Sequence, residues 1–262
     1  MGKKIRGTYE WAKYNENCVN GCSHLCQYCY ARNRAIKSGA KTPKSWHTEV
    51  IDRKAMNKVH KKRDGRIMFP TRHDISPQNL SACAVYLERM LSVGNEVLVV
   101  SKPHLGCIQF ICEAFKQYQK QIMFRFTIGS VHNSVLKLWE PGAPRFEERL
   151  NSLKFAFEFG YKTSVSCEPM LDGDIHMVVN AARNHVTDAI WLGKANNLIA
   201  RMTTNGADEK MLEIGRRLVE QQCDENIWKL YEKYKDDPII KWKESIKEIV
   251  GLELPTQKGT DK

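Results

Sequence analysis

The sequence predicts an α/β fold: a partial (β/α)6 barrel of parallel strands over residues 1–200, then a short helical extension over residues 201–262. Three observations carry that expectation. Beyond residue 66, short apolar β-type runs alternate with amphipathic stretches whose apolar residues recur three and four apart. Prolines stand where first helical turns tolerate them, and glycines stand where helices should stop. Five successive apolar runs end in polar or titratable residues, as the working face of a parallel barrel requires. A dinucleotide-binding sheet is the structural competitor, but no Gly-x-Gly-x-x-Gly follows any strand.

A first strand is expected near Thr8–Tyr14, leading into a cysteine-rich loop. Ile67–Phe69, Glu96–Val100, Gln121–Thr127, Lys162–Ser166 and Asp188–Leu192 complete six. Helices are expected over Leu80–Val93, Leu105–Tyr118, Phe146–Phe159 and Ile175–Asn184. Pro77, Pro103 and Pro144 mark the first three starts, and Asp172 or Asp174 can cap the fourth. From Arg201 onward strand signals vanish, and Met211–Gln222, Ile227–Tyr234 and Ile239–Val250 read as helices. The aromatics Trp228, Tyr231, Tyr234 and Trp242 read as packing for this extension, with a nucleic-acid stacking surface as the alternative.

The strand ends carry Thr71-Arg72-His73-Asp74, Ser101-Lys102-Pro103-His104, Thr127-Ile128-Gly129-Ser130, Cys167-Glu168-Pro169-Met170 and Gly193-Lys194-Ala195-Asn196. Together they predict a polar cavity. Arg125, flanked by Phe124 and Phe126, is expected to point into the barrel and to need an anionic partner there, for a salt bridge or for a ligand.

Between Cys18 and Cys29 stand four of the nine cysteines. Structural zinc usually takes two thiolate pairs separated by a longer loop, and this spacing is too cramped for that. Cys22, Cys26 and Cys29 suit three corners of a cubane iron-sulfur cluster, which leaves one iron open. Cys18 is left over, as a buried thiol or a substitute ligand.

The run Gly21-Cys22-Ser23-His24-Leu25-Cys26-Gln27-Tyr28-Cys29-Tyr30-Ala31-Arg32 resembles the cluster loop of radical S-adenosylmethionine (SAM) enzymes, and within them the spore photoproduct lyase and DNA repair photolyase-like branch. Trp139-Glu140-Pro141-Gly142-Ala143-Pro144 with Glu148-Arg149-Leu150 is similar to a further segment of that branch, so the resemblance covers about residues 9–196. It implies a [4Fe-4S] cluster on Cys22, Cys26 and Cys29, reductive cleavage of SAM to a 5'-deoxyadenosyl radical, and a reductant such as flavodoxin or ferredoxin. The cofactor contacts it suggests are Tyr28, Asp74, Ser101, Lys102, Arg125, Thr127, Ser130 and Glu168, with Lys194 a further cation for the SAM carboxylate. Two departures stand out. No Gly-Gly-Glu follows the second strand, and residues 69–78 lack the cysteine that returns a hydrogen atom in spore photoproduct lyase. Cys167 is the strand-end thiol that could replace it, and His73, beside Asp74, is the candidate acid-base group.

Residues 1–66 contain 16 Lys and Arg against 5 Asp and Glu, an excess equal to the +11 of the whole chain. The basic segment 32–66 is therefore a candidate nucleic-acid contact, or else a solvated loop. No apolar run is long enough to span a membrane, and scattered cysteines without paired spacing suit a reducing compartment, so a cytoplasmic location is expected. Two other functions stay open: the same chemistry on a peptide or small molecule, and a zinc-stabilised nucleic-acid-binding module without catalysis.

Overall fold

The computed structural model describes residues 4–260. A helical turn α1 (Thr8–Trp11) precedes β1 (Tyr14–Asn15), and β2 (Val19–Asn20) leads into the cysteine loop. Then come α2 (Tyr30–Lys37), β3 (Val50–Ile51), α3 (Arg53–Met56), β4 (Ile67–Phe69), α4 (Leu80–Leu91), β5 (Val97–Ser101) and α5 (Leu105–Ala114). The middle of the chain forms β6 (Ile122–Thr127), α6 (Asn133–Trp139), α7 (Phe146–Glu158), β7 (Lys162–Cys167), α8 (Ile175–Ala182) and β8 (Ile190–Leu192). It closes with α9 (Leu198–Thr204), α10 (Glu209–Gln221), α11 (Asp224–Tyr234), β9 (Ile240–Trp242) and α12 (Glu244–Val250).

The main sheet has seven parallel strands in the order β1-β4-β5-β6-β7-β8-β9, while β2 and β3 pair separately and antiparallel. The six expected strands are all present, and the extension adds a seventh. Ile239–Val250 is therefore not one helix. Ile240 and Trp242 both face the helices and pair with Ile190 and Leu192 as β9, and only Glu244–Val250 is helical. The first strand is also shorter than expected, because Thr8–Trp11 coils before Tyr14 and Asn15 pair with Ile67 and Met68.

Strand parity sorts the core into two compartments. Ile67, Phe69, Val97, Val99, Phe124, Phe126, Val165, Cys167, Ile190 and Leu192 face the helices. Met68, Leu98 and Met123 are register partners and pack inside the barrel with Trp11, Ala12 and Trp191. Arg125 also points inward. Its Nε donates to Ser164 Oγ at 2.9 Å, its Nη2 donates to Asp188 Oδ2 at 2.8 Å, and its guanidinium lies over the Trp11 and Trp191 rings.

The sheet does not close by strand pairing. A buried ion-pair group crosses the seam between β1 and β9 instead. Lys243, just after β9, donates to Glu10 Oε1 at 2.6 Å, lies 3.5 Å from Glu168 and 3.4 Å from Glu244, and sits 4.1 Å above the Trp11 ring. Backbone bonds from Ile5 to Pro255 and from Gly259 to Tyr9 extend the closure. Burial, with a hydrogen bond to Glu244, pushes Glu10 from its ordinary 4.5 up to about 10, whereas the surrounding acids, Glu168 foremost, outweigh burial and keep Lys243 charged. The folded chain thus keeps the Glu10 proton between pH 4.5 and about 10 while the unfolded chain releases it, so this group erodes stability as pH rises through that range. Glu10→Gln mimics the protonated acid. Its melting temperature should match the parent near pH 5 and exceed it increasingly toward pH 9, and parallel melting curves would contradict the assignment.

Candidate active site

The cluster loop runs from Gly21, whose φ of +107° and contact with the Trp46 and Thr48 carbonyls leave no room for a Cβ. Leu25 adopts a left-handed φ of 55°, turning the chain between Cys22 and Cys26 so that both thiols face one side. Cys29 caps α2 by accepting from the Arg32 amide. All three sulfurs line a cavity of about 390 Å³ that opens at the carboxyl ends of the strands. Burial pushes all three thiols up, and the Asp74 charge adds to the effect on Cys22.

A cation on the cavity wall faces this trio. Lys102 is held above its ordinary value, because Asp74 and the neighbouring cysteines and Glu140 outweigh the burial that would lower it. Its Nζ lies 3.0 Å from Asp74 Oδ2, and its amide donates to Asp74 Oδ1 at 2.7 Å. Asp74 also accepts from Ser101 Oγ at 3.0 Å and from His24 Nδ1 at 2.9 Å. Lys102 and His24 outweigh its burial and hold this carboxyl well below the usual range. His24 Nε2 in turn meets His104 Nε2 at 3.1 Å, and His104 faces Glu148 at 3.5 Å.

A second loop braces the first. Gln27 donates to the Trp139 carbonyl, and Gly142 donates to the His24 carbonyl. The Tyr28 hydroxyl donates to Glu140, and Glu140 pairs with Arg149 at 2.5 Å with both side chains fully buried. From the extension, Asn205 donates to the Gln27 and Cys29 carbonyls at 2.9 and 3.1 Å. The far cavity wall carries Glu168, Lys194, Asn196, Arg201 and Glu244. Among the described residues, no carboxylate lies within ion-pair distance of the Arg201 guanidinium.

Of the residues singled out in the sequence, Cys22, Cys26, Cys29, Tyr28, His73, Asp74, Lys102, Thr127, Glu168 and Lys194 line this one cavity. Four others do not. Ser101 is buried beneath Asp74 and orients it. Ser130 donates to Asp172 and accepts from the His132 amide. Arg125 lies two residues below Thr127 on the same strand, one layer of roughly 6.6 Å deeper, where Asp188 already satisfies it. Cys167 shares the outward face of β7 with Val165 and packs among the helices, so Ser166, not Cys167, borders the cavity. A hydrogen-atom donor role for Cys167 is therefore corrected. His73 borders the cavity with both ring nitrogens engaged, to the Asp74 carbonyl at 3.0 Å and the Cys18 amide at 3.3 Å.

The basic segment does not form one face. Lys62 donates to the Gly94 carbonyl, the Arg63 amide donates to Asn95, and Lys13 binds Asp64, all at the amino ends of the strands and away from the cavity. Lys58 pairs with Glu16. At the cavity mouth stand Arg6, Arg72, Lys194 and Arg201, with Arg34 and Arg72 acting electrostatically on Tyr30.

No family model matches the chain. An uncharacterized protein, ORF301, of Acidianus two-tailed virus is 24% identical over 166 residues, covering 59% of this chain and 54% of that protein. The chain thus spans about half the length of this curated relative. Streptococcus suis SuiB, solved bound to S-adenosylmethionine, superposes with a TM-score of 0.53 at 9% identity, over 94% of this chain and 54% of SuiB. A spore photoproduct lyase mutant, solved with bound AdoMet and dinucleoside spore photoproduct, superposes with a TM-score of 0.50 at 16% identity, over 84% of this chain and 76% of that one. The chain shares the fold of these two structures, an α/β partial barrel with a seven-stranded parallel sheet, and among the described residues no helix is long and apolar enough to cross a membrane.

Proposed function

We propose that the chain is a radical SAM enzyme in which Cys22, Cys26 and Cys29 hold a [4Fe-4S] cluster. The observation that carries this reading is the convergence of three unbridged thiols, Cys22 and Cys26 buried and Cys29 half-buried, on one wall of the barrel-end cavity, facing Lys102. The donor set fits the group: three sulfurs without a fourth cysteine on the cavity wall leave a coordination position open toward the cavity. Bound there, the cluster supplies the electron that cleaves SAM and so releases a 5'-deoxyadenosyl radical.

This chain's own side chains then have to bind, orient and exclude. Lys102 and Arg201, cavity-lining cations that act electrostatically on the cysteines, suit the SAM carboxylate, and Lys194 lines the same cavity. Glu168 is the acceptor suited to the ammonium or the ribose hydroxyls. Asp74 serves differently from the sequence expectation: committed to Lys102, Ser101 and His24, it positions the lysine rather than meeting the ligand. Tyr28 and Thr127 complete the wall, the former fixed by Glu140.

A polyanionic substrate, with nucleic acid first, agrees with the cations gathered at the mouth. Anaerobic protein should release 5'-deoxyadenosine when a reductant such as flavodoxin or dithionite is supplied with SAM. One zinc and no iron or sulfide on the three cysteines would end the radical reading in favour of a binding module. Single-stranded DNA binding should weaken steeply with salt, and Arg34→Ala with Arg72→Ala should lower the log-log salt slope by about 1 per lost phosphate contact. Lys61→Ala with Lys62→Ala, at the opposite pole, should leave that slope unchanged. Salt-independent or absent binding would redirect the search to peptides and small molecules.

A further inference from the structure

The leftover cysteine of the sequence, Cys18, has a structural partner set of its own. Its sulfur lies 3.8 Å from Cys83 Sγ on α4, and the ligand atoms of Cys18, Cys83 and His73 all fall within 4.8 Å of one another. All three residues are buried. Asn79 Oδ1 stands 3.2 Å from Cys83 Sγ.

We propose that Cys18, Cys83 and His73 form a second metal site, for a divalent ion of the zinc class, at the base of the cluster loop. Three geometric facts argue for it. In a tetrahedron with metal-sulfur bonds of about 2.3 Å, two sulfurs are about 3.8 Å apart, which is the spacing found here. A disulfide would need the sulfurs to approach to about 2.05 Å. His73 donates its Nδ1 hydrogen to the Asp74 carbonyl, the outer-shell bond that orients metal-binding histidines, which leaves Nε2 as the acceptor; that nitrogen takes the Cys18 amide hydrogen at 3.3 Å and would exchange this bond for the metal. Asn79 Oδ1, beside Cys83 Sγ and also accepting from the Ser76 amide, is the neighbouring oxygen that could supply a fourth ligand.

Charge agrees with the geometry. Two thiolates and a neutral imidazole around a divalent ion sum to zero, the condition under which an ion is tolerated in an apolar layer. Cys18 and Cys83 belong to the layer between sheet and helices while His73 borders the cavity, so the site abuts the cluster cavity without sharing its three cysteines. Its place is four residues ahead of Cys22, where the Cys18 carbonyl also accepts from the Asp52 amide beside the β2-β3 pair. A metal there ties β2, α4 and the loop after β4 to one point.

The test is elemental analysis of the full chain, purified anaerobically from zinc-replete cells. About one zinc per chain is expected beside the iron. Cys18→Ser and Cys83→Ser should each remove the zinc, while Cys112→Ser, in the same buried layer, should retain it. Should either serine variant fold poorly, a second measurement reads the site directly. The triple variant Cys22→Ala, Cys26→Ala, Cys29→Ala titrated with cobalt should show thiolate-to-metal charge-transfer absorption, and adding Cys83→Ser should abolish it. Absence of zinc and of the cobalt band in the triple variant, or zinc unchanged by both serine substitutions, overturns the proposal.

Discussion

Cys26→Ala should fold and yet lose the iron. The side chain is 5% exposed, and removing one sulfur from this small site costs on the order of 1 kcal/mol, so the melting temperature should drop by only a few degrees. Metal content should respond far more. Two thiols, Cys22 and Cys29, cannot hold three corners of a cubane, and the remaining wall offers Asp74, which is already bound to Lys102 and His24. Reductive release of 5'-deoxyadenosine should fall by more than roughly 100-fold, beyond what loss of an outer-shell partner produces. Iron, sulfide and nucleoside are measured on the same anaerobic preparation. A variant with full iron and turnover would refute the assignment of these three residues.

Gly142→Ala should damage the same site from a distance. A Cβ built at Gly142 lies 2.1 Å from the Ser23 carbonyl oxygen and 3.1 Å from His24 Cα. Both neighbours are backbone, so no side chain can swing aside. One of the two loops must retreat by more than about 1 Å to restore ordinary contact, breaking the bond from Gly142 to the His24 carbonyl. Overpacking of this kind costs about 1–3 kcal/mol, which lowers the melting temperature of a chain this size by roughly 2–10 °C. Iron retention should fall as well, because the displaced segment lies between Cys22 and Cys26. Gly106→Ala, where no atom lies within 4 Å of the new Cβ, is the control and should leave both readouts unchanged.

Local spacing made the cysteine trio legible, and strand ends made Asp74, Lys102 and Glu168 legible, because both signals live within a few residues of sequence. Parity was the signal that could have sorted the rest. Arg125 reads inward from its phenylalanine neighbours, and the same count along Val165-Ser166-Cys167 turns Cys167 toward the helices. Partnerships over long separations left no local trace: Glu10 meets Lys243 and Asn205 meets Cys29 through the closed barrel alone. Arg201 lies on α9, a seven-residue helix without an obvious start signal, since Asn197 caps it in a left-handed conformation with no side-chain hydrogen bond. β9 was hidden by its neighbours. A three-residue strand running directly into α12 reads as a helix unless the alternation of Ile240 and Trp242 is weighed above the apolar run that follows.

The Lys243 seam also covers the two outermost strands of the sheet. Outermost strands normally present a ladder of unused amides that invites a second copy to add on. Here those strands are two and three residues long, and the lysine with its carboxylates, the Ile5 amide and the Gly259 amide bridge the opening between them. Neutralising that lysine, as in Lys243→Met, would strand the Glu168 and Glu244 charges in the interior and loosen the bridge, exposing both ladders at once and turning a sealed flank into a site for self-association.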